Sequence, residues 1–180
     1  MVMPVGPLMI EHRLIERMIS LMDHEIQRMD KGGAADVHFI DTAVDFIQTY
    51  ADACHHGKEE DILFRDLQEK DLSDNDERVM QELIEEHIWA RKTTGQLVDA
   101  RERYAEGDKD AVDEIIELMG SLVRFYPRHI QKEDKDFFKA SMAYFPQEEQ
   151  DAMLQEEYEF DRRFIHEHYE RVVEGIESRS

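Results

Sequence analysis

The chain has little of what cross-links or punctuates a small protein. Its 180 residues include one cysteine, Cys54, so no internal disulfide forms and a reducing compartment is expected. Four prolines and eight glycines leave long uninterrupted segments. Within them apolar residues recur every three or four positions instead of alternating, which leaves almost no candidate strands. No apolar run approaches the ~20 residues of a membrane-spanning helix, and the start MVMPVGPLM lacks the basic region and apolar run of a signal peptide. The expected location is the cytoplasm. Positive charge is also scarce, with 22 Lys and Arg against 43 Asp and Glu and a net charge of −21. Such a chain is repelled by nucleic-acid phosphates and anionic lipid, so neither nucleic acid nor a membrane is an expected partner.

What is present argues for a folded core. Apolar residues make up 41% of the chain, with ten Met, nine Phe and six Tyr, too many for an acidic disordered segment. The length suits one domain, 1–180. Helical periodicity and turn residues predict a first helix from about Pro7 to Met29, stopped by Asp30-Lys31-Gly32-Gly33. A second is predicted from about Asp36 to Glu69, a third from Asp76 to Ala105, and a fourth from Ala111 to Met142. A fifth follows Pro146, from about Gln147 to Gly175. Short connections force neighbours antiparallel, so the expected fold is all-α: a left-twisted up-down four-helix bundle over about 7–142 with an additional C-terminal helix over about 147–175.

The apolar stripes of the first four helices are each broken by a histidine. They read Leu8, His12, Ile15, Ile19; then Ala51, His55, Glu59, Ile62; then Leu83, His87, Ala90; then Tyr126, His129, Glu133, Phe137. Burying such groups without partners costs several kcal/mol, so something must satisfy them. At about 1.5 Å rise per residue, His12 and His55 lie roughly 25 and 28 Å from their shared turn, and His87 and His129 roughly 28 and 30 Å from theirs. His55 and His87 lie roughly 21 and 18 Å from the turn between them, which puts all four in one layer to within about a helical turn.

The pattern is also repeated. His12 precedes His55 by 43 residues and His87 precedes His129 by 42, and each second histidine opens His-x-x-x-Glu: HHGKEEDILF beside HIQKEDKDFF. Four imidazoles and two carboxylates converging in a bundle form an N/O ligand set suited to iron or manganese, with Glu able to bridge two ions. The alternative for these residues is a metal-free polar layer satisfied by its own hydrogen bonds.

These segments, with the upstream histidines in IEHRLIE and EEHIWAR, resemble the hemerythrin-like family, the HHE cation-binding domain, over about residues 8 to 140. The resemblance implies a non-haem di-iron centre ligated by His12, His55, Glu59, His87, His129 and Glu133, with manganese or zinc as substitutes. It implies a small ligand, O₂, NO or peroxide, and a protein that binds or senses one of these or iron status. Oxygen-carrying members have a second histidine four residues after that of the third helix, where this chain has Arg91, and an aspartate five residues after that of the fourth, where it has Asp134 behind Glu133. Six protein ligands leave more open positions, which favours redox turnover or sensing over oxygen carriage. The competing readings are a di-iron oxidoreductase acting on peroxide, ferrous iron or NO, and a metal-free helical interaction module.

Other residues carry weaker signals. His56 and Glu60 have the same His-x-x-x-Glu spacing as His55 and Glu59 but sit about 100° round an ideal helix, so they are a competing register or neighbours behind the ligands. Tyr126 and His168 are further candidates for that supporting role, against ordinary packing. Gly57 permits a close helix approach, and Pro127, two residues before His129, is expected to kink the fourth helix. His24, His38 and His166 read as surface residues. Cys54 reads as a small buried neighbour, since no His/Asp arrangement argues for its activation.

Overall fold

The computed structural model describes residues 3–177, with side chains described through residue 164. Helix α1 spans Val5–Asp30 and buries Leu8, His12, Ile15, Ile19, Met22 and Ile26 on one face. Gly32, at φ +86°, reverses the chain where a Cβ would be strained. The Asp36 side chain caps the next helix by accepting from Phe39 N–H at 3.1 Å. This helix, α2, covers 37–67 and is not uniform. It is α-helical over Val37–Phe46 and widens into π-helix over Ile47–His56 and again over Glu59–Phe64.

Ser73 caps α3, Asp74–Ala105, by accepting from Asp76 N–H at 3.2 Å, and Gly107 at φ +112° makes the following turn. Helix α4 covers 111–141. It runs through Pro127 without ending and becomes π-helical over Lys132–Phe137. A short 3₁₀ turn, Met142–Tyr144, leads to α5, Gln147–Glu177. The expected boundaries hold to within a few residues, and no strand occurs among the described residues. The π-helical stretches were not expected. They fall on the two His-x-x-x-Glu segments, and such widened turns often mark functional sites.

Helix α1 packs on α2 and α4, and α3 packs on α2 and α4, closing a four-membered ring of helices. The interior is two apolar clusters with a polar layer between them. One holds Ile15, Ile19, Met22, Ile47, Leu97, Ile115, Leu122 and Ile130. The other holds Leu8, Ile62, Leu63, Leu83, Phe137 and Phe138. His12, His55, Glu59, His87, His129 and Glu133 lie between them, and each is buried. Helix α5 lies on the outside of α2. There a Cβ at Gly57 would stand 3.0 Å from the Phe160 ring, so the bare backbone at 57 permits the approach.

Candidate metal centre

The four histidines and two glutamates singled out by the repeat come together as one cluster. His12 and His55 face each other with their Nε2 atoms 2.9 Å apart. Glu59 lies between the two halves of the cluster, with Oε1 3.5 Å from His55 Nε2 and Oε2 3.4 Å from His87 Nε2. Glu133 does the same from the other side, with Oε2 3.2 Å from His12 Nε2 and Oε1 3.1 Å from His129 Nε2. Each carboxylate therefore offers one oxygen to each half.

Ligand atoms within 4.8 Å of one another form two four-residue cages, His12, His55, Glu59 and Glu133 on one side and His56, Glu59, His87 and His129 on the other. Glu59 belongs to both. Of the two glutamates in the competing registers, Glu59 is fully enclosed while Glu60 is 28% exposed and turned away from the cages. Both His55 and His56 are buried, as consecutive residues at the end of the π-helical stretch Ile47–His56.

Behind the cages stands a ring of four carboxylates, of which the sequence had pointed only to Glu60 in that role. Glu11 meets His55 Nδ1 at 2.8 Å, Glu60 meets His87 Nδ1 at 2.7 Å, Glu86 meets His129 Nδ1 at 2.7 Å, and Asp134 meets His12 Nδ1 at 2.8 Å. These four contacts cross the α1–α2, α2–α3, α3–α4 and α4–α1 interfaces in turn. Asp134 thus serves as the partner of His12, leaving Glu133 as the carboxylate inside. A carboxylate on one imidazole nitrogen orients the ring and directs the other nitrogen inward, as metal-binding histidines require. The signal was legible in retrospect, because the acidic residues before His12 and His87 and after Glu59 and Glu133 repeat with the motif.

The electrostatics leave the cluster unsatisfied by protein alone. Both oxygens of Glu59, both of Glu133, His87 Nε2 and His129 Nε2 are buried and make no directed hydrogen bond. Six such atoms in one place would be costly in a finished polar layer. Burial and the neighbouring Glu133 push the Glu59 carboxyl well above the usual range. Burial also opposes charge on Glu133, but the adjoining His129 and His12 outweigh it and hold that carboxyl low. Burial disfavours protonated His12, yet its hydrogen bond to Asp134 and the adjoining Glu133 carboxylate raise it to about 9, and in the same way the Glu133 charge raises His129 to about 10. For His55 burial prevails and the imidazole falls to about 4. Bound cations of the kind this N/O donor set accepts would satisfy the six orphaned atoms.

The remaining candidates are placed as follows. His56 is buried, its Nδ1 3.2 Å from Asp52. Tyr126 is buried with a hydroxyl that has no partner, and burial raises its pKa. It lines a cavity of about 280 Å³ together with Asp52, His56, Arg91 and Thr94. His168 and His166 lie outside the residues whose side chains are described. His24 and His38 are exposed. Cys54 is buried beside Asp161 and its thiol is pushed up to about 12 by burial, so it is not an activated nucleophile.

The family model of the hemerythrin HHE cation binding domain matches residues 3–141, which include α1 to α4 and every residue of the two cages. No curated protein and no solved structure matches the chain. The helical ring, the twice-used histidine and glutamate unit, and the match over most of the length agree, and the chain belongs to the hemerythrin HHE cation-binding family.

Proposed function

We propose that the chain holds two non-haem iron ions, ligated by His12, His55, Glu59, His87, His129 and Glu133, and that it binds or senses a small redox ligand, O₂, NO or peroxide, or reports iron status. The observation that carries this reading is the placement of Glu59 and Glu133, each with one oxygen toward each imidazole pair. Mixed N/O donors suit iron or manganese, and zinc is accepted by the same residue types. Bound iron would supply one-electron chemistry and open positions for a small ligand. The chain's own part is to orient the imidazoles through the outer carboxylates and to keep bulk water out with the two apolar clusters.

Counting metal per chain after anaerobic reconstitution with ferrous iron tests the reading. About two ions are expected, and a count near zero ends it. Optical spectra during stepwise addition of O₂, peroxide and NO to the ferrous protein then identify the ligand.

A second reading, peroxide turnover on the same centre, is favoured by the cavity beside His56, which brings Asp52, Arg91 and the unpartnered Tyr126 hydroxyl next to one cage. Sustained peroxide consumption that disappears in His55→Ala and Glu59→Ala supports it. Stoichiometric oxidation without turnover leaves the binding reading.

A further inference from the structure

The cage around His87 and His129 contains a third imidazole that the six-residue ligand set does not use. His56 is buried, and one of its ring atoms lies within 4.8 Å of the ligand atoms of Glu59, His87 and His129. Its ring stacks on His87 with centroids 3.8 Å apart and meets His129 edge-on at 5.6 Å.

Packing alone does not require an imidazole there. The counterpart of His56 in the second repeat is Ile130, a buried member of the apolar core. His56 also has the support that the other four imidazoles have. Its Nδ1 lies 3.2 Å from Asp52, which leaves Nε2 as the nitrogen available to an ion. Arg91 holds Asp52 at 2.7 Å and Glu60 at 2.8 Å, so one guanidinium fixes the carboxylates behind both His56 and His87. The π-helical turn Ile47–His56 is where consecutive histidines both face inward.

Resting on the two-ion reading above, we propose that His56 is a protein ligand to the ion between His87 and His129, which makes the two ions chemically unequal. One ion takes His12 and His55, the other takes His56, His87 and His129, and both share Glu59 and Glu133.

The test is a titration of the full chain with Co(II), followed by the visible spectrum, in wild type, His56→Ile and His56→Ala. His56→Ile installs the residue of the sister position and is expected to keep or raise the melting temperature of the metal-free protein. It should bind one ion as wild type does and the other about tenfold or more weakly. His56→Ala should show the same loss and recover the second ion when imidazole enters through the adjoining cavity, while wild type is unaffected by imidazole. Two ions bound at wild-type affinity by His56→Ile overturn the proposal, as does a His56→Ala protein whose second site is indifferent to imidazole. A wild-type chain that binds no Co(II) and no Fe(II) overturns the two-ion reading instead.

Discussion

Lys58 and Lys132 occupy the same place in the two repeats, one residue before the inward glutamate, yet their surroundings differ enough to make each the control for the other. Lys58 is fully buried and bonded to Glu11 and Asp161, the latter at 2.7 Å, and Glu11 in turn holds His55. Burial alone would lower the ammonium's pKa, but Glu11 and Asp161 outweigh it and raise it, so the charge is present at neutral pH. Lys58→Met removes two charge-assisted hydrogen bonds. A fully enclosed pair broken in this way costs about 3–5 kcal/mol. Here Asp161 is 39% exposed and regains water, so about 2–3 kcal/mol is expected, or about 6–9 °C of melting temperature for a chain of this size. Lys132 bonds Glu82 and Glu86 but is 26% exposed, and Lys132→Met should cost less than about 1 kcal/mol. Thermal unfolding of the two metal-free variants reads the difference directly. Equal losses, or no loss in Lys58→Met, refute the reasoning.

Two further predictions concern pH. Glu157 is buried with both carboxylate oxygens unpartnered, and burial raises its pKa to about 8. Since this lies above the unfolded value of 4.5, its contribution is complete below pH 4.5 and is lost as pH rises through 8. Glu157→Gln should therefore flatten the decline of melting temperature between pH 5 and 9, and an unchanged slope counts against the assignment. In the metal-free protein His12 and His129 stand at about 9 and about 10 against an unfolded value of 6.5. Their protons stabilise the metal-free fold below pH 6.5, and that contribution is lost as pH rises through 9 and 10. Metal must displace both, so uptake at pH 7 should release protons and strengthen as pH rises. Zinc binding in a weakly buffered solution with a pH indicator measures this, and binding without proton release refutes it.

The ring of helices, the turns and the layer of histidines were all legible because they rest on periodicity. Apolar positions at helical spacing, interrupted at His12, His55, His87 and His129, could only be reconciled by bringing the interruptions together. Two features were not legible. The inward turn of His56 depends on a π-helical stretch, and the assumption of about 100° per residue assigns neighbours to different faces. Apart from Glu60, named by its spacing from His56, the outer carboxylates were hidden by abundance, because Glu11, Glu86 and Asp134 are three acidic residues among 43 and nothing in composition separates them from solvated surface. Only their fixed offset from the histidines distinguishes them. Asp134 shows the difficulty most clearly, since it adjoins the inward Glu133 yet faces the outer nitrogen of His12.

The repeat therefore encodes a circuit as well as a ligand set. Glu11 and Glu86 support histidines within their own unit, while Glu60 and Asp134 reach across to the other, so neither half completes its imidazoles alone. Departures from this two-fold arrangement collect on one helix. His56 replaces the isoleucine of the sister site, Lys58 is buried where Lys132 is not, and Glu157 and Asp161 reach this side from α5. Helix α5 lies outside the family match and packs along the π-helical end of α2. A buried ammonium on that side needs the two carboxylates that Glu11 and Asp161 supply, and Glu11 passes the constraint to His55. The C-terminal helix thereby bears on the centre through Asp161, Lys58, Glu11 and His55, whereas the matching contacts beside His129, Glu82, Lys132 and Glu86, draw both carboxylates from α3.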